Sequence, residues 1–226
     1  MESNILYRPS YSLLQLLFQP GEVVKAEAGA MVSMTPNIKI ETSMGGGGLL
    51  GALKRSVLGG ESFFMNTFTC EGGPGEMTLA PTLPGDLIHI PLTGGGMYVQ
   101  SGSYICSTPD INVDTSWAGA KGFFSREGLF LLNCTGQGDL FVSSYGAIHP
   151  VDLQAGQSYK VDTGHMVAFE QTVTYNVQRV GGWKSTVLSG EGLVCNYTGP
   201  GRLYLQSRSM DAFLAFLIPK LPKSGS

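Results

Sequence analysis

Histidine is the most common protein ligand of transition metals, and the chain contains three of them: His89, His149 and His165. A metal site of the cupin type needs two histidines close together on one strand, with a carboxylate and a third histidine reaching the same ion. Here the three histidines are separated by 60 and 16 residues, and there is no His-x-His pair. We therefore expect neither a metal site nor a cofactor.

The cysteines are the candidate nucleophiles. They are Cys70, Cys106, Cys134 and Cys195. No Cys-x-x-Cys spacing occurs, and most of them lie within or at the ends of apolar stretches. A catalytic cysteine needs a thiolate stabilised by a nearby cation, and there is no Gly-x-Ser-x-Gly elbow to present a serine instead. The pattern predicts reduced, partly buried thiols and a chain that is not an enzyme.

The most unusual stretch is at residues 45–55, which begins with four consecutive glycines. The exposed backbone N–H groups of Gly46 and Gly47, together with Lys54 and Arg55, would suit an anion. The stretch does not match a Walker nucleotide-binding loop, because leucine precedes the lysine and arginine follows it. Two interpretations stay open: a ligand site at these four residues, and a structural loop that packs on a neighbouring subunit.

A lysine followed six or seven residues later by a glutamate occurs three times. The pairs are Lys54 with Glu61, Lys121 with Glu127, and Lys184 with Glu191. Such pairs suit three equivalent ligand sites at junctions between repeats. They suit equally three structural ion pairs, a remnant of shared ancestry between the repeats, or glutamates that cap loop amides where a strand begins.

A Gly-x-Gly sequence recurs at a constant distance along the chain. Its first glycines are Gly73, Gly136 and Gly199, which are 63 residues apart in both intervals. Equal spacing predicts three copies of one unit, at about residues 1–85, 86–148 and 149–226. Glycine in a tight connection between strands is suited to positive φ, so we expect Gly136 to resist replacement by a β-branched residue.

The remaining elements have the composition of strands, with one exception. Residues 97–99, 111–113, 140–142 and 173–177 are rich in β-branched and aromatic residues. Residues 210–218 instead carry apolar residues at helical spacing, after Ser209 as a possible N-cap and before Pro219. The sequence therefore predicts an all-β single domain made of three repeats with pseudo-threefold symmetry, ending in a short helix.

The charge balance limits the possible partners. The net charge of −3 gives no cationic field to attract DNA. Only 14% of residues are charged, whereas about a quarter is typical, which predicts that other subunits cover part of the surface. No signal peptide and no apolar run of roughly 20 residues is present, so we expect a cytoplasmic protein without a transmembrane segment.

Several motifs together resemble a known family. They are Glu-Ala-Gly-Ala-Met-Val-Ser-Met at residues 27–34, the glycines at 45–48, Lys54-Arg55, and Gly-Gly-Glu-Ser-Phe-Phe-Met-Asn at 59–66. This series resembles the "altered inheritance of mitochondria" family, many of whose members are uncharacterised. The resemblance implies TRAP-like repeats, that is, β-sandwich modules of the double-stranded β-helix type similar to the tryptophan RNA-binding attenuation protein. It also implies oligomers, and it transfers no catalytic residues.

These observations favour a non-catalytic structural or binding module that self-associates as a homo-oligomer, either a trimer or a larger ring. The alternative is a binder of a small ligand or carbohydrate at the junctions between repeats. A single-stranded RNA binder is less favoured, because only 14 lysines and arginines are scattered along the chain. A cupin-type metalloenzyme is disfavoured by the histidine spacing.

Overall fold

The computed structural model describes residues 1–43, 63–114, 130–179 and 193–222. These residues form an all-β protein with a short helix near its C-terminus, as predicted. In chain order the strands are β1 (Glu2–Leu6), β2 (Leu13–Phe18), β3 (Val23–Glu27), β4 (Met31–Met34), β5 (Ile38–Ser43), β6 (Met65–Cys70), β7 (Gly75–Leu79), β8 (Leu87–Gln100), β9 (Tyr104–Ser107), β10 (Ile111–Asp114), β11 (Leu131–Ser143), β12 (Ile148–Leu153), β13 (Ser158–Asp162), β14 (Met166–Glu170), β15 (Thr174–Arg179), β16 (Leu193–Thr198) and β17 (Gly201–Gln206).

The strands fall into three groups along the chain, which we call strand set 1 (β2 to β7), strand set 2 (β8 to β11) and strand set 3 (β12 to β17). Within set 1, antiparallel pairing gives the orders β2–β7–β4 and β3–β6–β5. Set 3 has the same orders, β12–β17–β14 and β13–β16–β15. The alternating burial of β2, where Leu14, Leu16 and Phe18 face the interior, shows how one face of each sheet supplies the core.

Strand set 2 reaches the same pairing order with fewer, longer strands. β8 and β11 pair along most of their length, so each corresponds to two strands of the other sets. β9 pairs with the C-terminal half of β11, and β10 pairs with its N-terminal half. β8 and β11 thus each take part in both strand orders of set 2, the one that contains β9 and the one that contains β10.

The sequence predicted a connection between strands at Gly136-Gln137-Gly138, and this prediction is wrong in detail. These residues lie inside β11, where the register with β8 shifts between Thr135 and Gln137. Gly136 and Gly138 have φ values of +125° and +146°. The glycines let one long strand bend, whereas in sets 1 and 3 the corresponding residues join two separate strands.

The buried apolar side chains form three clusters, each centred on one strand set. The cluster of set 1 also contains Ile105 and Cys106 of β9, with Leu87 and Phe141 of β8 and β11, and the cluster of set 2 also contains Val167 and Ala168 of β14. A strand from the following set therefore completes the core of the set before it.

The C-terminal helix, α1 (Met210–Leu217), begins where the sequence predicted. Ser209 is its N-cap, and the Ser209 hydroxyl oxygen accepts a hydrogen bond of 3.3 Å from the Ala212 N–H. A single 3-10 turn at Ile218–Lys220 follows the helix. Within the described part of the chain, no helix is both long enough and apolar enough to cross a membrane.

Candidate functional site

Most of the residues predicted to bind ligands lie outside the described residues. They are Gly46, Gly47, Lys54, Arg55, Glu61, Lys121, Glu127, Lys184 and Glu191. The anion site and the repeated lysine–glutamate pairs therefore stay predictions.

The three first glycines of the Gly-x-Gly sequences are all described, and their surroundings differ. A Cβ atom on Gly136 would lie 2.3 Å from the Asp110 carbonyl oxygen. A Cβ atom on Gly199 would lie 2.5 Å from the Gln154 carbonyl oxygen. A Cβ atom on Gly73 would meet open space. Close backbone approach thus requires glycine at two of these positions and not at the third.

A hydrogen bond that the sequence analysis missed recurs just after each Gly-x-Gly sequence. The backbone N–H of Glu76 donates to Thr35 Oγ1 (3.1 Å), and that of Asp139 donates to Thr108 Oγ1 (3.0 Å). In set 3 the N–H of Arg202 donates to Glu170 Oε2 (3.1 Å). The shared Thr-Pro at residues 35–36 and 108–109 was a signal for two of these three bonds. The bonds fix the corner that follows β4, β9 and β14.

All four cysteines are buried free thiols. Burial raises the pKa of Cys106 well above its ordinary value, that of Cys134 to about 12 and that of Cys195 to about 11. Since a thiolate is the nucleophilic form, these three side chains are protonated and unreactive at neutral pH.

Two of the histidines are held by partners within their own strand sets. His89 Nε2 lies 2.6 Å from Asp139 Oδ1, and the His89 ring stacks on Phe141 at 4.9 Å. His165 Nδ1 donates to the Gln206 carbonyl oxygen at 2.7 Å. No group of three or more histidine, cysteine, aspartate or glutamate side chains that could hold a metal ion occurs among the described residues.

A cleft of about 650 Å³ opens on the surface of set 1. Leu17 and Phe18 provide its apolar wall, while Glu2, Thr35 and Glu76 provide polar groups. All the residues around it belong to the first 76 of the chain, at the start of β1, the end of β2 and the start of β7, so the cleft does not lie between strand sets.

The first contact between strand sets joins β3 to β9 by antiparallel pairing. Lys25 lies opposite Ser107, and Ala26 lies opposite Cys106. Lys25 Nζ donates to the Pro109 carbonyl oxygen at 2.8 Å, and the Tyr104 hydroxyl donates to the Lys25 carbonyl oxygen at 3.1 Å. Set 2 is thereby fixed to set 1 through backbone and side-chain bonds together.

The second contact joins β8 to β14 in the same way. Tyr98 lies opposite Phe169, and Val99 lies opposite Ala168. The Tyr98 and Phe169 rings are 5.2 Å apart between centroids, so the side chains of this opposed pair touch. Each internal contact thus extends a sheet from one strand set into the next.

At the two ends of this row, β4 and β13, which correspond to the strands that make the internal contacts, are both left at a sheet edge. In the described part of the chain, β4 pairs only with β7, and β13 pairs only with β16. Val32 on β4 is 58% exposed, and Tyr159 on β13 is 39% exposed. Edge strands with exposed apolar side chains are surfaces on which a further strand can pair.

Comparison with known proteins identifies the family of the chain. The family model described as "Mitochondrial biogenesis AIM24" matches residues 3–208. An uncharacterised protein of Streptococcus pyogenes serotype M6 is 28% identical over 223 residues, which is 96% of this chain and 89% of that protein. The crystal structure of a Streptococcus pyogenes protein, SPYM3_0169, has a TM-score of 0.80 and 27% identity, covering 97% of this chain and 99% of that one. The resemblance predicted from the sequence is confirmed, and the chain belongs to the mitochondrial biogenesis AIM24 family.

Proposed function

We propose that this protein is a non-catalytic structural module that assembles with copies of itself. The distribution of exposed apolar side chains carries the proposal. Among the described residues, the large exposed apolar side chains that lie on strands all belong to sets 1 and 3, and none belongs to set 2. They are Met31, Val32, Ile40 and Tyr159. The others lie outside the strand sets, before β2 and after β17: Tyr7, Tyr11, Phe213, Leu214, Phe216, Ile218 and Leu221. The strands of the set with a neighbour on both sides are covered, and those of the outer sets leave apolar side chains exposed.

The three strand sets are, in this proposal, copies of one TRAP-like unit, and the same contact relates each set to the next. The support is their common strand order, together with the 63-residue spacing of the Gly-x-Gly sequences. A unit of this kind presents a strand edge on each side, and a neighbouring unit covers that edge. Self-association would continue between chains what already happens within one chain.

The chemistry of the described side chains supports a role without catalysis. Cys106, Cys134 and Cys195 are protonated by burial, and His89 and His165 are occupied by hydrogen-bond partners. Free thiols also fit a reducing compartment, so we propose the cytoplasm as the location. The net charge of −3 supports a partner other than DNA.

Mass in solution tests the proposal. Light scattering after size exclusion, over a wide dilution series, should give a multiple of the 24.0 kDa chain mass at the higher concentrations. A particle of one chain mass at every concentration would contradict self-association. Turnover traced to any described side chain would contradict the non-catalytic part of the proposal.

A further inference from the structure

The two internal contacts use the same positions of their strands. Lys25 lies six residues before the start of β4, Tyr98 lies six residues before the start of β9, and Lys160 lies six residues before the start of β14. These three residues therefore correspond. At the first contact Lys25 faces Ser107, the fourth residue of β9, and at the second Tyr98 faces Phe169, the fourth residue of β14. One register therefore describes both contacts.

At the outer edge of set 1, a side chain that is buried in sets 2 and 3 is left exposed. Val32, Ile105 and Val167 occupy the same position, within the register shift of β4, β9 and β14. Ile105 is 1% exposed and Val167 is fully buried, because each enters the cluster of the preceding strand set. Val32 is 58% exposed. An aliphatic side chain in this position is buried wherever a strand set precedes it.

The core of set 3 shows the complementary feature. The clusters of sets 1 and 2 each contain two adjacent residues from the corresponding strand of the following set, Ile105 with Cys106 of β9 and Val167 with Ala168 of β14, and the cluster of set 1 also contains Leu87 and Phe141. The cluster of set 3 contains no residue from a following set. Tyr159 and Lys160 of β13 are exposed at the edge where such a pair would enter.

We propose that β4 of one copy of this chain pairs antiparallel with β13 of a second copy, in the register of the two internal contacts. This interface rests on the proposed self-association. Lys160 of one copy faces Met34 of the other, and Val161 faces Ser33. Val32 then enters the core of set 3 of the second copy, as Ile105 and Val167 enter the cores of sets 1 and 2.

One side-chain bond of the interface follows from the same correspondence. Lys160 corresponds to Lys25, and Pro36 corresponds to Pro109, which is also the fifth residue after the first of its strand. Lys25 Nζ donates to the Pro109 carbonyl oxygen. Lys160 Nζ of one copy donates in the same way to the Pro36 carbonyl oxygen of the other.

The interface is heterologous, because it joins two different strands. Each chain carries one β4 edge and one β13 edge, so every copy can bind a neighbour on each side. Such head-to-tail contacts close into a ring when the rotation per chain permits it, and otherwise continue as a filament. A two-fold dimer that buries the same edge of both copies is excluded by this arrangement.

Disulfide trapping tests the interface in the full chain. The double variant Met34→Cys/Lys160→Cys places two cysteines on directly opposed positions, as in the touching pair Tyr98 and Phe169. We expect mild oxidation to give a ladder of disulfide-linked dimers and larger species on a non-reducing gel. The control Ile40→Cys/Lys160→Cys carries its first cysteine on β5, another exposed edge strand, and should give no ladder.

Three other results of the trapping and light-scattering experiments would contradict the proposed interface. A disulfide within a single chain would overturn the proposal, because β13 would then pair with β4 of its own chain. Assembly by light scattering without a ladder would overturn this interface and leave the proposed self-association standing. A monomer at every concentration would overturn both.

A single substitution gives a second readout. Val32→Asp replaces an exposed side chain, so the isolated chain should fold with an unchanged circular dichroism spectrum. In the assembly the carboxylate would be buried, and the concentration needed for half-assembly should rise by more than about tenfold. Ile40→Asp, at another exposed aliphatic position on β5, should leave that concentration unchanged. Equal effects of the two variants would overturn the proposal.

Discussion

At Gly136 the backbone leaves no room for a side chain. The φ value of +125° is one that L-residues rarely adopt, and a Cβ atom would lie 2.3 Å from the Asp110 carbonyl oxygen. Gly136→Val should therefore lower the free energy of unfolding by about 3 kcal/mol, from backbone strain and steric overlap together. Urea denaturation of the purified variant measures this loss.

The matched control is at the corresponding position of set 1. Gly73 has open space around its missing Cβ, so Gly73→Val should change the free energy of unfolding by less than about 1 kcal/mol. Both substitutions alter the first glycine of a Gly-x-Gly sequence. If they cost the same, the difference in local geometry would not be what makes Gly136 necessary.

Asp86 is a buried carboxylate whose ion pair connects the N-terminal segment to set 2. Arg8 donates to it twice, at 2.7 and 2.9 Å, and Ser12 and the Leu87 N–H donate as well. Burial alone would raise the pKa of Asp86, but the hydrogen bonds and the charge of Arg8 outweigh it and lower that pKa below its ordinary value. The ionised form is thus stabilised by folding.

Arg8→Met should remove about 2 kcal/mol of stability at neutral pH, a figure kept low because the arginine side chain is half-exposed. A lowered folded-state pKa contributes stability above the unfolded-state pKa, and that contribution is lost as pH falls through the folded-state pKa. The difference in the free energy of unfolding between wild type and Arg8→Met should therefore become smaller below about pH 4. Urea titrations at neutral and acidic pH measure it.

Arg202 offers a control of the same chemistry in an exposed place. It also donates twice to an aspartate, Asp152, and is half-exposed like Arg8, but Asp152 is largely exposed whereas Asp86 is buried. Arg202→Met should change stability little at either pH, since water and salt screen exposed pairs. A loss as large as that of Arg8→Met would argue against burial as the reason for the importance of Asp86.

At the scale of elements, local sequence patterns predicted where the strands and the helix occur, but they did not predict how long the strands are. The strands predicted at residues 97–99, 111–113, 140–142 and 173–177 lie in or overlap β8, β10, β11 and β15, and α1 begins after its predicted cap. The lengths of β8 and β11 were missed because the glycines at residues 94–96 and at 136 and 138 suit a turn as well as a bend. The long β8–β11 ladder decides between these, and no local pattern contains that information.

The cap of α1 is an element whose contribution can be measured separately. Because Ser209 Oγ accepts the Ala212 N–H, Ser209→Ala should destabilise the first turn of the helix by about 1 kcal/mol. Amide exchange at Ala212 and Phe213 should accelerate accordingly. Ser209→Thr retains an acceptor and should restore most of the protection. Equal exchange in all three proteins would contradict the capping role.

At the scale of the whole molecule, the sequence predicts the length of the repeat, but it does not predict which strand edges are covered by a neighbouring strand set. Val32, Ile105 and Val167 are all aliphatic residues in strands, so their types alone cannot distinguish a side chain that is 58% exposed from two that are buried. That difference arises from which strand set precedes each of them. Most of the predicted ligand-binding residues lie outside the described ranges, so the candidate site that emerges is a surface the sequence analysis had not singled out.

The position of a set in the row should also decide how its strands respond to assembly. If β4 and β13 pair between copies, their amide protons should exchange slowly at high protein concentration and quickly on dilution. β9 and β14 already have partners on both sides within one chain, so their exchange should not depend on concentration. β5, an edge strand away from the interface, should exchange at the same rate throughout.

Mass-spectrometric hydrogen exchange across a dilution series, repeated on Val32→Asp, measures all of these strands in one experiment. Protection of β4 without β13 would contradict head-to-tail pairing, because each contact must cover one edge of each kind.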